Sequence, residues 1–384
     1  MKILVACDSF KGCMTSQEVE TCIKKGIKRV NKEFEVISYP MADGGEGTAE
    51  VFCDILHGNM KSVDTVDAYG RPIVARIATS KENNMAVFDV ASCIGLNMVK
   101  KEDRNPMLAS SYGVGIMLKE AIRLGYKNII IGLGGSSTND AGMGLLSAFG
   151  VRFYDVNRKV LRPSLYSLKK IAFIDKRHFY FPENVTLTVA CDVRNHLLGK
   201  DGCTYVFGKQ KGIYPNQMEE IDRWIYHYRN KMEQTFHVDI DSYDGSGAAG
   251  GIGSVLLGVM HAKMRPGIEL VMELSDFDRM LEDADLVVTG EGQTDIQTLY
   301  GKVPYGVAVH ANKKRVPVIC LSGALGKEYE KLYDIGIVSI LSSADRAMSF
   351  STALKTSPEK IEALAYSVFK LIDGVCKFQQ NKVE

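Results

Sequence analysis

In this chain of 384 residues, the stretch 128–150 contains the most informative group of residues that could bind a ligand. An apolar run leads into a loop of Gly, Ser, Thr, Asn and Asp, and a segment rich in Ala, Leu and Met follows. Glycines let the backbone approach a ligand closely, and the unpaired N–H groups of a helix start attract anions. The pattern therefore predicts an anion site, most simply for a phosphate, although an Asx helix cap is the alternative for its last two polar residues. The candidate residues are Gly134, Gly135, Ser136, Ser137, Asn139 and Asp140.

Two loops near the start of the chain add charged groups. The first contains Ser9, a candidate for binding substrate or phosphate, and Lys11, since a lysine there can hold a phosphate or a carboxylate as a point charge. A solvated surface cation is the alternative for Lys11. The second is rich in glycine and contains Asp43, a candidate base or magnesium ligand, and Glu46, for which a helix-dipole contact is the simpler interpretation.

Two later loops repeat this combination. Asp192 follows the extended run 185–190, where a surface ion pair with Arg194 is the alternative to a functional role. Lys209 and Lys211 lie in a stretch bounded by glycines, which predicts a phosphate-binding loop.

The last loop of this kind follows an apolar run over residues 285–288. It contains Glu291 and Asp295, and Lys302 comes shortly after them. In open α/β sheets ligands bind outside the carboxyl ends of the strands, which is where most of these loops fall.

Several catalytic signatures are missing from the sequence. It has no G-x-x-x-x-G-K-[ST] loop, no H-R-D, no H-E-x-x-H and no G-x-S-x-G, and its seven histidines show no metal-ligand spacing. Aspartates and lysines in glycine loops are suited to positioning and charge neutralisation. Phosphoryl transfer requires this kind of help, because its transition state spreads negative charge over the equatorial oxygens.

Composition excludes several classes of partner. Lys and Arg (47) nearly cancel Asp and Glu (46), and no basic stripe is present, so nucleic acid is not expected to bind. The nine cysteines are scattered without C-x-x-C pairs, as in a reduced cytosol. The apolar run 3–7 ends at Asp8, and no run approaches the ~20 residues of a membrane span. These features predict a cytoplasmic protein that acts without membrane or nucleic acid, as a monomer or homodimer.

The elements that must position these residues follow an α/β pattern. Thr15 or Ser16, with Glu18 in the first turn, predicts the cap of the first helix. Residues 62–90 then change to short extended runs typical of antiparallel hairpins. The other predicted strands are 2–7, 35–39, 185–190, 285–288, 316–321 and 337–341, with a further short strand at the start of 128–150. The other predicted helices are 16–30, 112–124, 217–235 and 251–264, with one more that follows the loop at 41–50 and ends near Leu56.

This change of pattern predicts two domains. Residues 1–62 and 280–384 form one discontinuous domain with a doubly wound sheet, and residues 63–279 form a second α/β domain inserted into it.

The ordered motifs resemble those of the bacterial class I glycerate kinases, over nearly the whole chain. The matching segments are residues 8–11, 42–48, 132–142, 190–193, 247–251, 289–292 with Asp295, and 301–304. The resemblance implies ATP- and Mg²⁺-dependent phosphorylation of D-glycerate to a phosphoglycerate. It also implies a Rossmann- or flavodoxin-like domain and a second α/β domain, with the active site in the cleft between them.

Roles follow from the resemblance as expectations. Asp192, and after it Asp43, is the expected base, while Asp295 or Glu291 is expected to hold Mg²⁺. Lys11 and Lys302 are expected to neutralise phosphate oxygens or the glycerate carboxylate. The chain departs from the pattern at Gln293, where many members carry arginine.

Two other functions fit parts of the pattern. A nucleotide-binding oxidoreductase could share the doubly wound start, but the loop after the first strand lacks G-x-G-x-x-G. A sensor of sugar acids derived from such a kinase is the second alternative, and the retention of Asp43, Asp192, Glu291, Asp295 and Lys302 together argues against it.

Overall fold

The structure is a computed structural model that describes the backbone of residues 1–383 and the side chains of residues 1–378. It divides into two compact units. Unit 1 comprises residues 1–43 and 268–384, and unit 2 comprises residues 44–267. The sequence pattern had placed the divisions after residues 62 and 279.

Short strands alternate with helices along most of the chain. The strands are β1 (Lys2–Cys7), β2 (Glu35–Ser38), β3 (Asn59–Val66), β4 (Pro72–Ser80), β5 (Met85–Asp89), β6 (Asn128–Gly132), β7 (Arg152–Tyr154), β8 (Phe173–Asp175), β9 (Thr186–Ala190), β10 (Lys263–Arg265), β11 (Leu286–Gly290), β12 (Gln293–Thr294), β13 (Val318–Ser322), β14 (Ala324–Leu325) and β15 (Ile337–Ser342).

The α-helices range from single turns to a long terminal helix. They are α1 (Ser16–Val30), α2 (Thr48–Ile55), α3 (Ala91–Ile94), α4 (Tyr112–Arg123), α5 (Met143–Ala148), α6 (Leu165–Leu168), α7 (Cys203–Lys211), α8 (Met218–Phe236), α9 (Ala248–Gly258), α10 (Gly267–Leu274), α11 (Phe277–Met280), α12 (Val303–Lys313) and α13 (Phe350–Val383).

Unit 1 is built on a five-stranded, fully parallel sheet with the order β15-β13-β11-β1-β2. β1 is buried from Ile3 to Cys7, as its apolar sequence predicts for a central strand covered on both faces. Helix α1 begins with a capping box, in which the Thr15 hydroxyl accepts from the Glu18 N–H and the Glu18 carboxylate accepts from the Thr15 N–H. The buried face of α1 packs on the sheet and on α13.

Unit 2 contains a six-stranded sheet with the order β10-β9-β6-β5-β4-β3. β10, β9, β6 and β5 are parallel, while β4 pairs antiparallel with both β5 and β3. β3 therefore points the same way as β5, and the turn after β3 lies at the same edge of the sheet as the carboxyl ends of β5, β6 and β9. Helices α3–α9 and the sheet share one large apolar core.

The predicted α/β class with parallel sheets is confirmed. β1 and α1 have the predicted limits, and the predicted hairpins are β3–β4 and β4–β5. The prediction of a loop around Lys209 and Lys211 is wrong, because both lie in α7. Gly212 has φ +100° and ends this helix, so the glycine that suggested a loop is a helix C-cap.

Within residues 1–383, we find no helix that combines the length and apolarity required to cross a bilayer.

The contact between α1 and α13 gives a test of the packing. A Cβ on Gly26 of α1 would lie 2.4 Å from the Glu362 carbonyl oxygen of α13, whereas a Cβ on Gly374 of α13 would meet nothing within 4 Å. Gly26→Ala should lower the free energy of unfolding by about 1–3 kcal/mol through overpacking. Gly374→Ala, the matched control in the same helix pair, should raise it by up to about 1 kcal/mol through helix propensity. Urea unfolding would measure both changes, and equal effects would contradict the helix contact.

Candidate active site

The carboxyl end of the unit 1 sheet contains a topological switch point. From β1 the chain passes through α1 to β2 on one side, and it later returns to β11 on the other side. Ligands in open α/β sheets bind at such a reversal, outside the carboxyl ends of the strands. Asp8 follows β1 directly and Glu291 follows β11 directly, so both carboxyls lie at the switch point.

Asp8, Lys11 and Asp43 form the first charged group at this edge. Lys11 Nζ lies 2.6 Å from Asp43 Oδ2, with 56% of the lysine side chain exposed. Asp8 is buried, and burial together with the Asp43 charge raises the pKa of its carboxyl to about 8. Ser9 donates to Asp8 Oδ1 through its N–H at 2.8 Å, so Ser9 orients this carboxyl.

These charges also act on Lys11. Burial lowers the pKa of its ammonium, but Asp43 and Asp8 outweigh that effect and hold the pKa above its ordinary value. Lys11 therefore stays a cation throughout the physiological range. Asp8 was not among the residues that the sequence singled out. The signal available was its position as the first residue after a buried strand.

Glu291 and Lys302 form the second charged group. Lys302 Nζ lies 3.1 Å from Glu291 Oε2, and the hydroxyl of Thr298 donates to Glu291 Oε1 at 2.6 Å. Burial raises the pKa of the Glu291 carboxyl, while Lys302 and Thr298 oppose that rise. The Glu291 carboxylate is thus buried with a hydrogen-bond partner on each oxygen, and the side chain of Lys302 is partly exposed.

Asp295 and Gln293 lie next to this group but have different partners. Asp295 Oδ1 accepts from the Gln297 N–H at 2.9 Å, which caps a 3₁₀ helix over Ile296–Tyr300. Asp295 Oδ2 accepts from the Gln293 side-chain amide at 3.1 Å. Gln293 is therefore a neutral partner of Asp295, where an arginine would form an ion pair.

Side chains of α1 hold the end of β1 in place. The Ser16 hydroxyl donates to the Cys7 carbonyl at 2.7 Å and accepts from the Met41 N–H at 3.1 Å. Glu20 is fully buried, and its Oε1 accepts from the Cys7 N–H at 3.3 Å. Burial raises the pKa of Glu20 well above its ordinary value, because the site disfavours the charged form of the carboxyl. These contacts fix the strand ends that carry Asp8 and Asp43.

In unit 2, the glycine-rich loop after β6 packs tightly against its surroundings. The Gly134 N–H donates to the Gly44 carbonyl at 3.1 Å, and a Cβ on Gly134 would lie 2.5 Å from Gly45 Cα. Gly135 has φ +77°, and its carbonyl accepts from the Leu96 N–H at 2.7 Å. The glycines are thus required by close backbone contacts within the unit.

Several polar side chains of the loop point inward. Asp140 is fully buried and accepts from the Ser111 N–H and hydroxyl and from the Gly142 and Gly144 N–H groups. Burial raises the pKa of Asp140, which these hydrogen bonds oppose. The Ser137 hydroxyl donates to the Ile94 carbonyl. Asp140 thus satisfies N–H groups at the start of α5, although the N-cap residue of this helix is Gly142.

Lys211 enters the same loop from α7. Its Nζ donates to the Thr138 carbonyl at 2.7 Å and to Ser136 Oγ at 3.2 Å, and the residue is 3% exposed. Burial lowers the pKa of this ammonium to about 8. Asn139 donates to Thr204 at 3.0 Å, while its buried Oδ1 has no hydrogen-bond partner among the residues that the structure describes.

Two remaining candidates have other surroundings. Asp192 follows β9, is half-buried, and accepts from the Gly267 N–H at 3.1 Å. Lys209 is exposed on α7. The structure thus assembles Ser9, Lys11, Asp43, Glu291, Lys302 and Asp295 at one sheet edge of unit 1. It assembles the loop residues and Lys211 in unit 2, with Asp192 at a neighbouring strand end and Lys209 on the surface.

The acidic groups of unit 1 have the chemistry of a magnesium site. Mg²⁺ in proteins takes oxygen ligands and is commonly held by one or two carboxylates together with substrate phosphates and waters. Asp8 and Glu291 are buried carboxyls whose pKa values are raised by burial, so each would gain from a nearby cation. Among the described side chains no three Asp, Glu, His or Cys groups converge as an all-protein metal cage. The residues therefore fit a magnesium ion shared with a phosphate.

Comparisons with known proteins agree along the whole chain. The sequence profile of the Glycerate kinase family matches residues 3–373. A glycerate kinase of Halalkalibacterium halodurans is 40% identical over 95% of this chain and 97% of its own length. A glycerate 2-kinase of Escherichia coli K12 is 34% identical over 99% of this chain and 97% of its own length.

A solved structure shares the fold. The crystal structure of a protein from Salmonella typhimurium LT2, provisionally named glycerate kinase 2, superposes with a TM-score of 0.81 at 34% identity. The similarity covers 98% of this chain and 99% of the other.

The buried Lys211 gives a pH-dependent test. An ordinary lysine has a pKa near ~10.4 and Lys211 has one of about 8, so between these values the unfolded state binds more protons than the folded state. The stability that depends on Lys211 should therefore rise with pH in this window. The difference in unfolding free energy between wild type and Lys211→Met should shift in favour of wild type by about 1–2 kcal/mol from pH 7.5 to pH 9.5.

Lys209→Met is the matched control for this experiment, because Lys209 is an exposed lysine of the same helix. Its stability difference from wild type should not change with pH. If the unfolding free energies of Lys211→Met and wild type changed with pH in parallel, the pKa of Lys211 would be the same in the folded and unfolded states. That result would contradict the prediction.

Proposed function

Because the chain belongs to the glycerate kinase family, we propose that it transfers the γ-phosphoryl group of ATP to a hydroxyl of D-glycerate in a Mg²⁺-dependent reaction. The products are ADP and 2- or 3-phosphoglycerate. The observation that carries this proposal is the set of charges at the switch point of unit 1, where Lys11 and Lys302 alternate with Asp8, Asp43 and Glu291. Such a set can position and neutralise phosphate oxygens, which is most of what phosphoryl transfer requires.

The two lysines have the role of fixed cations. Lys11 remains protonated beside Asp43, and its half-exposed side chain can exchange this partner for a phosphate oxygen or the glycerate carboxylate. Lys302 is held by Glu291, so its ammonium is oriented before a ligand arrives. We assign Ser9 to the orientation of Asp8 in the same site.

Asp192 is our first assignment for the group that accepts the proton of the attacked hydroxyl. It lies at a strand end, where catalytic groups of α/β proteins are placed, and it is half-buried. Asp43 is the second assignment. Its Oδ2 already accepts a hydrogen bond from Lys11, and this bond would compete with the proton of the attacked hydroxyl. A carboxylate in this role takes the proton as the oxygen attacks phosphorus.

Glu291 and Asp295 are the residues to which we assign Mg²⁺, directly or through water, with Asp8 as a further carboxyl of the same edge. When bound, the ion supplies charge neutralisation of the phosphate oxygens. In unit 2 we assign phosphate or substrate contacts to the backbone of Gly134 and Gly135 and to nearby groups of the loop. The remaining members of this set are Ser136, Ser137, Asn139, Asp140, Lys209 and Lys211.

We further propose that the enzyme acts in the cytoplasm as a monomer or homodimer. All nine cysteines are free thiols, and Cys7, Cys93, Cys191, Cys203 and Cys320 are buried. Free thiols in this number are typical of a reducing compartment.

The activity itself is tested with ATP, Mg²⁺ and D-glycerate, with the products resolved by ³¹P NMR. We expect a phosphoglycerate signal that grows with ADP, and the 2-phosphate is favoured because the Escherichia coli relative is named a glycerate 2-kinase. Omission of D-glycerate is the control for ATP hydrolysis. ADP that forms equally without D-glycerate, and no phosphoglycerate, would contradict the proposal.

The base assignment is tested by neutral isosteres. Asp192→Asn keeps an Oδ1 that can accept from the Gly267 N–H, so the fold should persist while kcat falls by about 10²–10³, as for the loss of one transition-state group. Asp43→Asn tests the second assignment in the same assay. Asp64→Asn, at an exposed position of β3, is the control and should leave kcat unchanged. A loss below tenfold in Asp192→Asn would remove Asp192 from the catalytic residues.

A further inference from the structure

Unit 2 contains a cavity of about 460 Å³ that none of the assignments above uses. Its lining includes Tyr69, Arg71, Met98, Lys100, Asn105 and Leu108. Ligand pockets typically fall between about 300 and 1,000 Å³ and combine apolar or aromatic walls with a few polar groups. This cavity has that size and that mixture.

One wall of the cavity is a rigid turn between β3 and β4. Asp67 is buried and accepts from the N–H groups of Tyr69 and Arg71, both at 2.9 Å, and from the Arg71 guanidinium at 2.5 Å. The Tyr69 hydroxyl accepts from the Asn105 N–H at 2.9 Å. The Arg71 guanidinium lies 5.5 Å from the centre of the Tyr69 ring. The aromatic ring and the cation are therefore fixed before any ligand binds.

The opposite wall is the segment after α3, and Arg104 holds it. The Arg104 guanidinium donates to the carbonyls of Leu96, Val99 and Gln210, at 3.1, 3.2 and 2.8 Å. Met98 on this segment is 41% exposed. Leu108, which also lines the cavity, is 53% exposed. A planar ring of a ligand would pack against large apolar side chains of this kind, which are typical of the walls of ligand pockets.

The segment that leads into one wall of the cavity is hydrogen-bonded to the glycine-rich loop. The Leu96 N–H donates to the Gly135 carbonyl, and Gly95 forms a β-bridge with Ser136. Met98 is two residues from Leu96, a span of at most about 7 Å. The turn after β3 also lies at the same sheet edge as this loop, because β3 and β6 point the same way. A ligand in the cavity could therefore extend charged groups toward the loop.

We propose that this cavity binds the nucleoside part of the adenine nucleotide, with the phosphates directed toward the loop at Gly134–Ser137. The proposal rests on the proposed function for the identity of the nucleotide. The base packs against Met98, Leu108 and the Tyr69 ring, since aromatic and apolar side chains are suited to a flat ring system. D-glycerate is much too small to fill the cavity, and it has no apolar face for these side chains to cover.

The charged groups of the cavity are nearly balanced. Arg71 and Lys100 line it together with the Asp103 carboxylate, and the Arg71 guanidinium is already paired with the buried Asp67. Lys100 is therefore the side chain that we assign to a phosphate oxygen of the ligand, as a point charge. Backbone N–H groups of a glycine-rich loop are a common phosphate site, so the ribose side of the nucleotide faces that loop.

Binding of ADP to the full-length protein tests the site without any need for turnover. Leu108→Glu places a carboxylate in the lining at a half-exposed position and should raise the Kd of ADP at least tenfold in calorimetry. In kinetics, the KM for ATP should rise by a similar factor, while the KM for D-glycerate stays within about threefold. Val156→Glu is the matched control, because Val156 is a 78% exposed residue of unit 2 away from the cavity lining. It should leave the Kd of ADP unchanged.

An ADP affinity of folded Leu108→Glu within twofold of wild type would overturn the proposal. Photolabelling of wild type with 8-azido-ADP gives a second measurement that does not depend on the folding of a variant. We expect labelled peptides from residues 69–71 or 98–108, and label confined to other peptides would overturn the site. A wild type that binds ADP here yet forms no phosphoglycerate would contradict the proposed function alone.

Discussion

The end of β1 is the constraint on which the chemistry of unit 1 depends. Ser16 and Glu20 bind the carbonyl and N–H of Cys7, and the Asp8 N–H donates to the Gly290 carbonyl of the neighbouring strand. The chain must therefore place the Asp8 carboxyl in a buried position beside Asp43. This placement raises its pKa to about 8, so the fold loses stability as the pH rises from the ordinary pKa of an aspartate toward 8. Groups with such a shift are typical of functional sites, where stability is given up for reactivity.

Unit 2 uses buried polar groups for a different purpose. Asp140 fills its hydrogen-bonding capacity with Ser111, Gly142 and Gly144, and Lys211 donates its ammonium to the carbonyl of Thr138. An unpaired buried carboxylate or ammonium would be costly, so these partners fix one loop conformation. Backbone contacts act in the same way, since the N–H groups of Gly134 and Ser137 donate to the carbonyls of Gly44 and Ile94. Lys211 is in this respect a residue that holds the loop.

Local patterns in the sequence were sufficient for some elements. The apolar run of β1 and the start of α1, with Thr15 or Ser16 as its cap, depend only on neighbouring residues, so both were predicted at their observed positions. The helix predicted over residues 251–264 is wrong at its end, because α9 stops at Gly258 and β10 begins at Lys263. Long-range contacts decided the rest. The hydroxyl of Ser111, which makes Asp140 an internal cap, is 29 residues away, and Asp8 bonds to Gly290 at the far end of the chain. The position of Gly212 in the sequence fits either a loop or the end of a helix, since only its backbone φ angle distinguishes the two.

Under the proposed function, the charges at the switch point of unit 1 give a physical reason for a divalent cation. Lys11 and Lys302 each have a carboxylate partner in Asp43 and Glu291, and burial beside Asp43 raises the pKa of the Asp8 carboxyl to about 8. A bound nucleotide adds several negative charges to the same edge, and the two lysines cannot neutralise both the protein and the phosphates. A magnesium ion would correct this imbalance for the carboxyls and the phosphates together. Gln293 fits the same proposal, because a neutral amide beside Asp295 adds no positive charge that would compete with a cation, as a guanidinium would.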